Sequence, residues 1–413
     1  MAIPPIAALE IGSTRTVVCV GEGEKKGDRV RIIGYGIHPT AGVHKGQITD
    51  LEKARESVRG ALDRVSKMLP NVDIRQAMLV VSGSHIQSQS NAGVLSIQAA
   101  NRVVSRKDVE EVNENADNVP ISSDREVLHL ISQNYVRDDQ PGVADPEGMT
   151  CSVLTCNKLA IHGLKNCIGN ALNVAKGENL EVAGVVFAGC CAAKSVLSPA
   201  QKQRGVLLVD LGGGTTSYMA YVNGVLAKAG CIAVGAAHVT KDIEAAFCRH
   251  NLTPSRAEKL KCEHGCATLD SEGESPRIIL PRGITELDDL QINRHSLNLV
   301  INARMNELFS VLRDRMDKAG LLPDLRAVVL TGGGAYLRKI TGLASHVLGM
   351  PCTIGTPKNV DGLEQEKQAV MFAAVAGGVI YGHSGYKETG FIKRVIHFFK
   401  SSDSLQEQGV THE

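Results

Sequence analysis

The chain has few aromatic residues and no excess of charge of either sign. Phe, Trp and Tyr make up 3% of its 413 residues, and tryptophan is absent. A surface that binds nucleic acid by stacking bases on aromatic rings is therefore not expected. Lysine and arginine number 45, against 44 aspartate and glutamate residues. So balanced a chain has no broad field to attract nucleic acid, and any membrane affinity must be local.

Several common signatures are also missing. The sequence has no Gly-Lys-Ser/Thr P-loop, no Gly-x-Ser-x-Gly elbow and no His-Glu-x-x-His motif. These absences exclude the P-loop class and remove the commonest hydrolase and zinc-protease interpretations. The longest apolar stretches, near 182–193 and 369–381, are too short and too interrupted by glycine to span a bilayer. The first residues lack the charged and apolar regions of a signal peptide, so none is expected.

The cysteines favour a reducing compartment. There are 11 of them, an odd number scattered through apolar runs, which suits buried thiols in a cytoplasm better than a disulfide framework. One group, Cys262-Glu-His-Gly-Cys266, resembles a set of metal ligands. It lacks a second Cys/His pair at zinc-site spacing, so no metal is predicted there.

Glycine-rich turns after apolar runs are the most informative feature present. In 205–216 a buried strand is followed by Asp210 and then by three glycines and two threonines. Glycine lets backbone N–H groups line a tight, concave anion site, and an adjacent carboxylate can hold the accompanying metal. Taken alone, this stretch is more typical of an ordinary Gly-rich hairpin. The same pattern begins at Glu10, 200 residues earlier, and a third such turn occupies 330–334. Repetition favours two similar halves that hold a nucleotide between them.

Hydrophobic periodicity predicts an α/β protein. Two β-meanders, one beginning at each acidic residue, are joined by amphipathic helices. The segment 85–165 interrupts this pattern with strand-like pieces around one helix that Ser105 could cap, which indicates an inserted α+β unit. The remaining predicted helices are 49–68, 164–175, 239–247, 253–261, 296–319, 335–348 and 368–381, and further strands are predicted at 77–84 and 182–188.

On these motifs the chain resembles the actin/hexokinase/DnaK ATPase superfamily and, within it, the FtsA family of bacterial division proteins. Residues 9–14 are similar to the first phosphate motif of that family. Residues 209–216 are similar to its second phosphate motif, and residues 330–335 to its adenosine motif. The connecting helices match 187–189 and 374–377. The resemblance extends over essentially the whole chain to about residue 400, so it does not depend on the motifs alone.

The resemblance implies an actin-like (ribonuclease H-like) fold of duplicated ATPase domains, with two lobes around an interlobe nucleotide site and an inserted α+β subdomain. The expected first lobe comprises 1–84, 166–200 and 353–384, with the inserted subdomain at 85–165. The expected second lobe has its core at 201–242 and 296–352 and a small subdomain at 243–295. A linker at 385–390, an amphipathic helix at 391–400 and a polar tail at 401–413 complete the division.

The resemblance also implies roles for individual residues toward ATP and Mg²⁺. Asp210 would hold the metal through water, with Glu10 near the metal and phosphates. Gly235 would close the ribose side, and Glu258 and Lys261 would lie near adenosine. The remaining implied ATP-binding residues are those of the three turns: Gly12, Ser13, Thr14, Gly212, Gly213, Gly214, Thr215, Gly332, Gly333 and Gly334.

Two departures from the family pattern suggest slow hydrolysis. The first motif begins with Glu10 where the family usually has Asp, and Ser217 stands where the second motif usually ends in Asp. The segment 185–195 also offers no acid or glutamine to position an attacking water, and hydrolysis needs that positioning. We therefore expect ATP binding with at most slow hydrolysis, and no firm catalytic residue is assigned.

A basic amphipathic stretch follows the Gly-rich linker near the C-terminal end of the sequence. Its apolar residues fall largely on one helical face and its basic residues mainly on the other, which suits the surface of an anionic membrane. The alternative is a terminal helix docked on the body of the protein. Members of the FtsA family end in such a membrane-targeting helix. The residues concerned are Phe391, Ile392, Lys393, Arg394, Val395, Ile396, Phe398, Phe399 and Lys400.

The family resemblance implies partners as well. Arg304 and Glu307 would contact the C-terminal peptide of the tubulin-like FtsZ, although a solvated helix pair is nearly as good an interpretation of their spacing. The implied function is a membrane adaptor that tethers FtsZ polymers to the cytoplasmic face of the cell membrane. It would form filaments at the division site, meet other divisome proteins and bind no nucleic acid. The alternatives are a pilus-assembly ATPase of the PilM type and a small-molecule kinase of the same fold.

Overall fold

We analysed a computed structural model of the chain. It describes residues 5–23, 29–248, 252–269, 277–280, 290–363 and 369–384. The predicted linker, amphipathic stretch and polar tail at 385–413 lie outside these residues.

The first lobe is built on a six-stranded sheet. A meander of three antiparallel strands continues on one side into two parallel strands, because the first strand pairs in parallel with the fourth. In spatial order the strands are β11 (Glu181–Phe187), β6 (Gln76–Val81), β1 (Ile6–Ile11), β2 (Arg15–Gly23), β3 (Val30–Pro39) and β19 (Val360–Asp361). A two-stranded hairpin, β4 (Val43–His44) with β5 (Gln47–Ile48), follows the meander.

The second lobe repeats this plan with five strands. An antiparallel meander again continues into parallel strands next to its first member. The strands in spatial order are β14 (Val225–Ile232), β13 (Thr216–Val222), β12 (Val206–Leu211), β17 (Ala327–Thr331) and β18 (Cys352–Ile354). A further pair, β15 (Arg277–Leu280) and β16 (Leu290–Asn293), lies within the expected small subdomain at 243–295. The predicted duplication is confirmed by this common strand order.

An inserted α+β unit follows the first parallel strand. Its four-stranded sheet has the order β7 (Gln87–Ser96), β10 (Val153–Leu164), β8 (Arg125–Arg137) and β9 (Gln140–Val143). The helix α2 (Arg106–Asp117) begins at a capping box in which Ser105 and Asp108 satisfy each other's backbone amides, as the serine predicted. Val112, Ala116 and Leu154 form part of the small core beneath that helix.

The remaining helices cover both faces of the two large sheets. In chain order they are α1 (Leu51–Met68), α3 (Lys165–Gly177), α4 (Ala188–Val196), α5 (Pro199–Arg204), α6 (Ala236–Ala246), α7 (Pro254–His264), α8 (Arg294–Lys318), α9 (Ile340–Leu348) and α10 (Ala373–His383). The Ala/Gly-rich helix α10 packs closely on α4 at Gly377, where a Cβ would collide with the carbonyl oxygen of Cys191.

Two predicted helices begin later than the sequence pattern indicated, and one helix was missed. Residues Gly333–Tyr336 form a 3₁₀ turn, and α9 starts only at Ile340 because Lys339 has a left-handed backbone (φ 56°). In the segment predicted as a helix at 368–381, Ala369–Phe372 is also 3₁₀. The short helix α5 was not predicted, although Ser198, Pro199 and Gln201 are a capping box with proline in the first turn.

Candidate functional site

The glycine turns of the two lobes have the same local geometry. In the first, the amide of Gly12 donates to the carbonyl of Arg15 over 3.0 Å. In the second, the amide of Gly212 donates to the carbonyl of Thr215, also over 3.0 Å. Each turn joins an acidic strand to its antiparallel partner, so Glu10 and Asp210 occupy equivalent places at the ends of β1 and β12. The internal repeat seen in the sequence is therefore also a repeat in three dimensions.

The two turns meet tip to tip across the cleft between the lobes. A Cβ on Gly213 would lie 2.9 Å from the Cβ of Thr14, and one on Gly214 would lie 2.6 Å from the Cβ of Ser13. Neither distance is available to a real side chain, so only glycine allows the lobes to approach this closely. The cleft is consequently lined by backbone groups from both turns, which is the kind of surface that binds phosphate.

The third glycine turn approaches from the end of β17. Gly332 has φ 79°, and a Cβ there would run into the Asp210 carboxylate. A Cβ on Gly333 would lie 2.7 Å from the Nη2 atom of Arg15. The parallel pairing of Asp210 with Thr331 in the sheet fixes this approach. The three turns that were separate in sequence thus converge on one carboxylate and one guanidinium.

Two carboxyl groups and one cation lie at the floor of this cleft. Burial raises the pKa of Glu10 to about 7, the Asp210 carboxylate adds to the rise, and the Arg15 guanidinium opposes it. Burial also raises the pKa of Asp210 to about 6, again against the effect of Arg15. Both groups are therefore less acidic than usual because they are desolvated, and the Asp210 charge further raises the pKa of Glu10. An additional positive charge in the cleft would be electrostatically favourable.

The cleft continues into a larger cavity in the second lobe. A space of about 40 Å³ among the turns adjoins one of about 790 Å³, and both are lined in part by Thr14, Arg15, Gly213 and Gly333. The larger volume lies within the usual range for small-molecule sites. Gly334, Glu258 and Lys261 also line it. Glycine-rich backbone of a kind that can bind phosphate on one side, and a roomy, mostly apolar cavity on the other, would suit a ligand that joins a polyphosphate to a larger ring system.

The buried side chain of Lys261 and the exposed carboxylate of Glu258 form a polar cluster on that wall. The ammonium of Lys261 donates to the carboxylate of Glu258 (2.6 Å), to the hydroxyl of Thr240 (2.8 Å) and to the carbonyl of Ala236 (3.0 Å). Burial by itself would raise the pKa of Glu258. The Lys261 charge and the hydrogen bonds outweigh that effect, so the pKa lies below its usual value. The pair is thus an internally satisfied ion pair whose outer edge lines the cavity.

Gly235, expected on the ribose side, lies directly before α6 and behind the second glycine turn. A Cβ on it would meet the carbonyl oxygens of Gly212 and Gly213 at 2.5 Å, and it does not line either cavity. The amides of Ala236 and Ala237 donate to the same two carbonyls over 2.9 Å. Gly235 therefore lets α6 brace the second glycine turn from behind.

Sequence reasoning missed several residues that line the cleft. The space among the turns is also lined by Arg15, Ser82, Ala188 and Met371. Ser217, which stands where the family motif usually has Asp, lines it as well. Arg15 could have been found, because it is the first cation after the turn and follows Glu10 by five positions, as Thr215 follows Asp210. Ser82 and Met371 gave no local signal, since only the packing of β6 and α10 on β1 brings them to the cleft.

Arg304 and Glu307 are brought together on α8. The Nη1 atom of Arg304 donates to Glu307 over 2.5 Å. Asp242 on α6 accepts two further bonds from the same guanidinium, at 2.6 and 2.9 Å. This bidentate pairing raises the pKa of Arg304 further above its already high value. The cation is thus paired within the chain and remains partly accessible, with 28% of its side chain exposed.

The other sequence predictions concern metals and membranes. Cys262 is exposed and Cys266 is buried, and nowhere in the described part of the chain do three or more His, Cys, Asp or Glu side chains form a group placed for a metal ion. No helix among the residues described is both long and apolar enough to cross a membrane. The predicted membrane residues, Phe391 to Lys400, lie outside those residues.

Comparison with known proteins identifies the family. A family model described as "Cell division protein FtsA" matches residues 207–377, and one described as "SHS2 domain inserted in FTSA" matches 83–162. The cell division protein FtsA of Pseudomonas aeruginosa is 30% identical over 388 residues, which cover 91% of this chain and 89% of that protein. The chain belongs to the FtsA family. It is accordingly a cell division protein, and its inserted sheet corresponds to the SHS2 domain of FtsA.

Solved structures agree on the fold of this FtsA-family chain. The PilM–PilN type IV pilus biogenesis complex has a chain with a TM-score of 0.64 at 15% identity, covering 91% of this chain and 98% of its own. MreB 5 of Spiroplasma citri, solved bound to AMPPNP, gives a TM-score of 0.55 at 14% identity, covering 94% and 98%. At these identities the likeness concerns the fold, which is that of the actin-like ATPases.

Proposed function

We propose that this FtsA-family protein binds ATP between its lobes and links FtsZ polymers to the cytoplasmic face of the cell membrane at the division site. The observation that carries the proposal is the convergence of three glycine turns on Asp210 and Arg15 between two lobes of the same plan. Membership in the FtsA family favours a role in division over pilus assembly, because the likeness to PilM concerns the fold alone.

In this proposal the two facing turns hold the phosphates. The backbone amides around Gly12–Thr14 and Gly212–Thr215 would donate to phosphate oxygens, and Asp210 would hold Mg²⁺ through water. Bound Mg²⁺ would neutralise charge on the phosphates and offset the repulsion between Glu10 and Asp210. The nucleoside would occupy the 790 Å³ cavity beside Glu258 and Lys261.

Slow hydrolysis remains part of the proposal. Ser217 pairs with Asp210 across the β12–β13 hairpin and is buried, with its hydroxyl 3.9 Å from the sulfur of Cys231. A hydroxyl in that environment is a weak base, so it cannot replace a carboxylate in activating water. The site is suited to holding ATP through an assembly cycle, in which filaments of this chain and contacts with other divisome proteins would form.

The FtsZ contact is proposed on the exposed edge of α8. The Arg304 guanidinium is partly accessible, and an acidic peptide could share it with Asp242. Arg304→Glu is expected to weaken binding of an FtsZ C-terminal peptide about tenfold or more in a titration. Asp242→Asn is the matched control, because it breaks the same internal ion pair and leaves the cation in place. Equal weakening by both variants would mean that the peptide does not contact Arg304.

The membrane contact is proposed for residues 391–400, from their sequence pattern. Removal of 391–413 should abolish sedimentation with anionic vesicles, whereas removal of 401–413 alone should leave it intact. Retained vesicle binding by the longer deletion would contradict the proposal.

The most direct test of the whole function is co-sedimentation of the full chain with vesicles and FtsZ, with and without ATP. We expect FtsZ to sediment with vesicles only when this protein is present.

Asp210→Asn should weaken Mg²⁺–ATP binding at least tenfold and reduce filament formation. Asp63→Asn, on the exposed face of α1, provides the matched control. Unchanged affinity in Asp210→Asn would refute the phosphate site, and transfer of phosphate to small alcohols or acids would favour a kinase instead.

A further inference from the structure

A lysine at the tip of the β4–β5 hairpin lies beside both phosphate turns. Val43 pairs with Ile48 and His44 with Gln47, which leaves Lys45 and Gly46 as a two-residue turn. Both have left-handed backbones, with φ 51° and 74°. The first position of such a turn favours Asn, Asp or Gly, and a lysine there carries strain. Strain of this kind concentrates at functional sites, so the position of the side chain is informative.

The hairpin is fastened to the cleft by its second turn residue. The amide of Gly46 donates to the hydroxyl of Ser13 over 2.9 Å. A Cβ on Gly46 would lie 2.7 Å from the backbone of Ser82 and Gly83, so the hairpin tip has no freedom to shift toward β6. At its base, the carbonyl of Gly42 accepts from the amide of Thr49 over 2.8 Å. Lys45 is therefore held in one place relative to the first phosphate turn.

Lys45 also reaches the turn of the opposite lobe. Its Cα would lie 3.4 Å from a Cβ built on Gly214, and Gly214 in turn lies against Ser13. Lys45 thus stands at the point where the two turns meet, just beyond the residues that line the space among them. The positive charge of Lys45 also acts on a residue of the second lobe, across the cleft. Burial is the main cause of the lowered pKa of His238 on α6, and the Lys45 ammonium adds to it.

Lys45 is a half-buried residue, and its ammonium forms no ion pair with the acidic residues that the structure describes. Lys53, a few residues later, is paired with Asp50. A cation held at the meeting point of two phosphate turns, without a carboxylate of its own, is placed to meet an anion that enters between them.

We infer that Lys45 is a specificity-determining residue that contacts the terminal phosphate of a nucleoside triphosphate and so distinguishes it from a diphosphate. This inference rests on the proposed nucleotide site. The two inner phosphates would be held mainly by the turns themselves. The terminal one would lie nearest the junction of Ser13 and Gly214, where Lys45 can add a charge-assisted hydrogen bond from the first lobe. Occupancy by a triphosphate would then tie the hairpin to both lobes.

The test compares the affinities of the full chain for Mg²⁺–AMPPNP and Mg²⁺–ADP by calorimetric titration. The Lys45→Asn variant removes the cation and keeps a residue that tolerates the left-handed turn, and Lys45→Arg retains the cation. Lys339→Asn is the matched control, since Lys339 is another lysine with a left-handed backbone (φ 56°) but is exposed and precedes α9 in the second lobe, away from the point where the two turns meet. Thermal unfolding of every variant checks that the hairpin is intact.

We expect Lys45→Asn to weaken AMPPNP about tenfold and ADP less than twofold, because one charge-assisted bond is lost to the terminal phosphate only. Lys45→Arg should restore most of the preference, and Lys339→Asn should not alter it. If Lys45→Asn weakens both nucleotides equally, or neither, the inference is wrong while the nucleotide site stands. If the unmodified chain binds neither nucleotide, the proposed site fails and the inference fails with it.

Discussion

The desolvated carboxyl of Glu10 should make the ligand-free protein less stable as the pH rises. Its pKa is about 7 in the folded chain, against 4.5 for an ordinary glutamate. A carboxyl whose folded pKa is raised binds more protons in the folded state than in the unfolded state. Folding therefore loses stability as the pH increases from about 4.5 through about 7, and the full penalty applies above that range.

The size of the effect follows from the shift. One pKa unit corresponds to about 1.4 kcal/mol, so the change from 4.5 to about 7 amounts to ~3 kcal/mol at pH 8. About 2 kcal/mol of this penalty develops between pH 5.5 and pH 8. Because Glu10 is partly accessible from the cleft, water there reduces the cost. We expect a measured difference of ~1–2 kcal/mol.

The perturbation is Glu10→Gln, which keeps the shape and removes the charge. Urea unfolding of both proteins, without nucleotide or Mg²⁺, is followed by circular dichroism, because the chain has no tryptophan to report by fluorescence. We compare the free energy of unfolding of the variant with that of the unmodified chain at each pH. The difference in favour of the variant should be ~1–2 kcal/mol larger at pH 8 than at pH 5.5. Glu22→Gln, on the exposed face of the neighbouring strand, should show no such pH dependence.

The reasoning fails if the Glu10→Gln difference is the same at both pH values, because a desolvated carboxyl cannot avoid this linkage. It also fails if Glu22→Gln behaves in the same way, which would point to a general charge effect. Added Mg²⁺–ATP should reverse the order of stability at pH 8. The unmodified cleft offers a carboxylate to the bound cation, and the glutamine variant does not.

Two further substitutions test the geometry of the cleft and of the inserted unit. Gly332→Ala forces a left-handed residue and a methyl group toward a carboxylate, so we expect a loss of ~1–3 kcal/mol in unfolding free energy together with weaker nucleotide binding. Gly342→Ala, in open space on α9, should instead be neutral or slightly stabilising. The Ser88 hydroxyl donates to the carbonyl of Ala229 (2.6 Å) and accepts from its amide (3.1 Å), which joins the inserted sheet to the second lobe. Ser88→Ala should cost ~1–3 kcal/mol and speed hydrogen exchange at that amide, whereas Ser90→Ala, exposed on the same strand, should not.

The sequence by itself determined the features that depend on a few neighbouring residues. The two turns after Glu10 and Asp210 could be predicted because glycine after a buried strand has a local conformational meaning. The caps at Ser105 and the long amphipathic helix 49–68 were equally readable, since capping and periodicity act within one or two helical turns. Resemblance to the FtsA family added the fold that joins these pieces, and the comparisons bear it out.

Only the tertiary structure decided how the glycine turns are assembled into a cleft. Arg15 lies against Gly333, more than 300 residues away in the chain, because parallel pairing of β12 with β17 aligns their ends. The bracing role of Gly235 and the pairing of Arg304 with Asp242 likewise depend on how α6 packs. Such contacts join segments whose local sequences do not indicate that they will meet. Their positions follow from close packing and burial of the whole chain, which no short pattern of residues encodes.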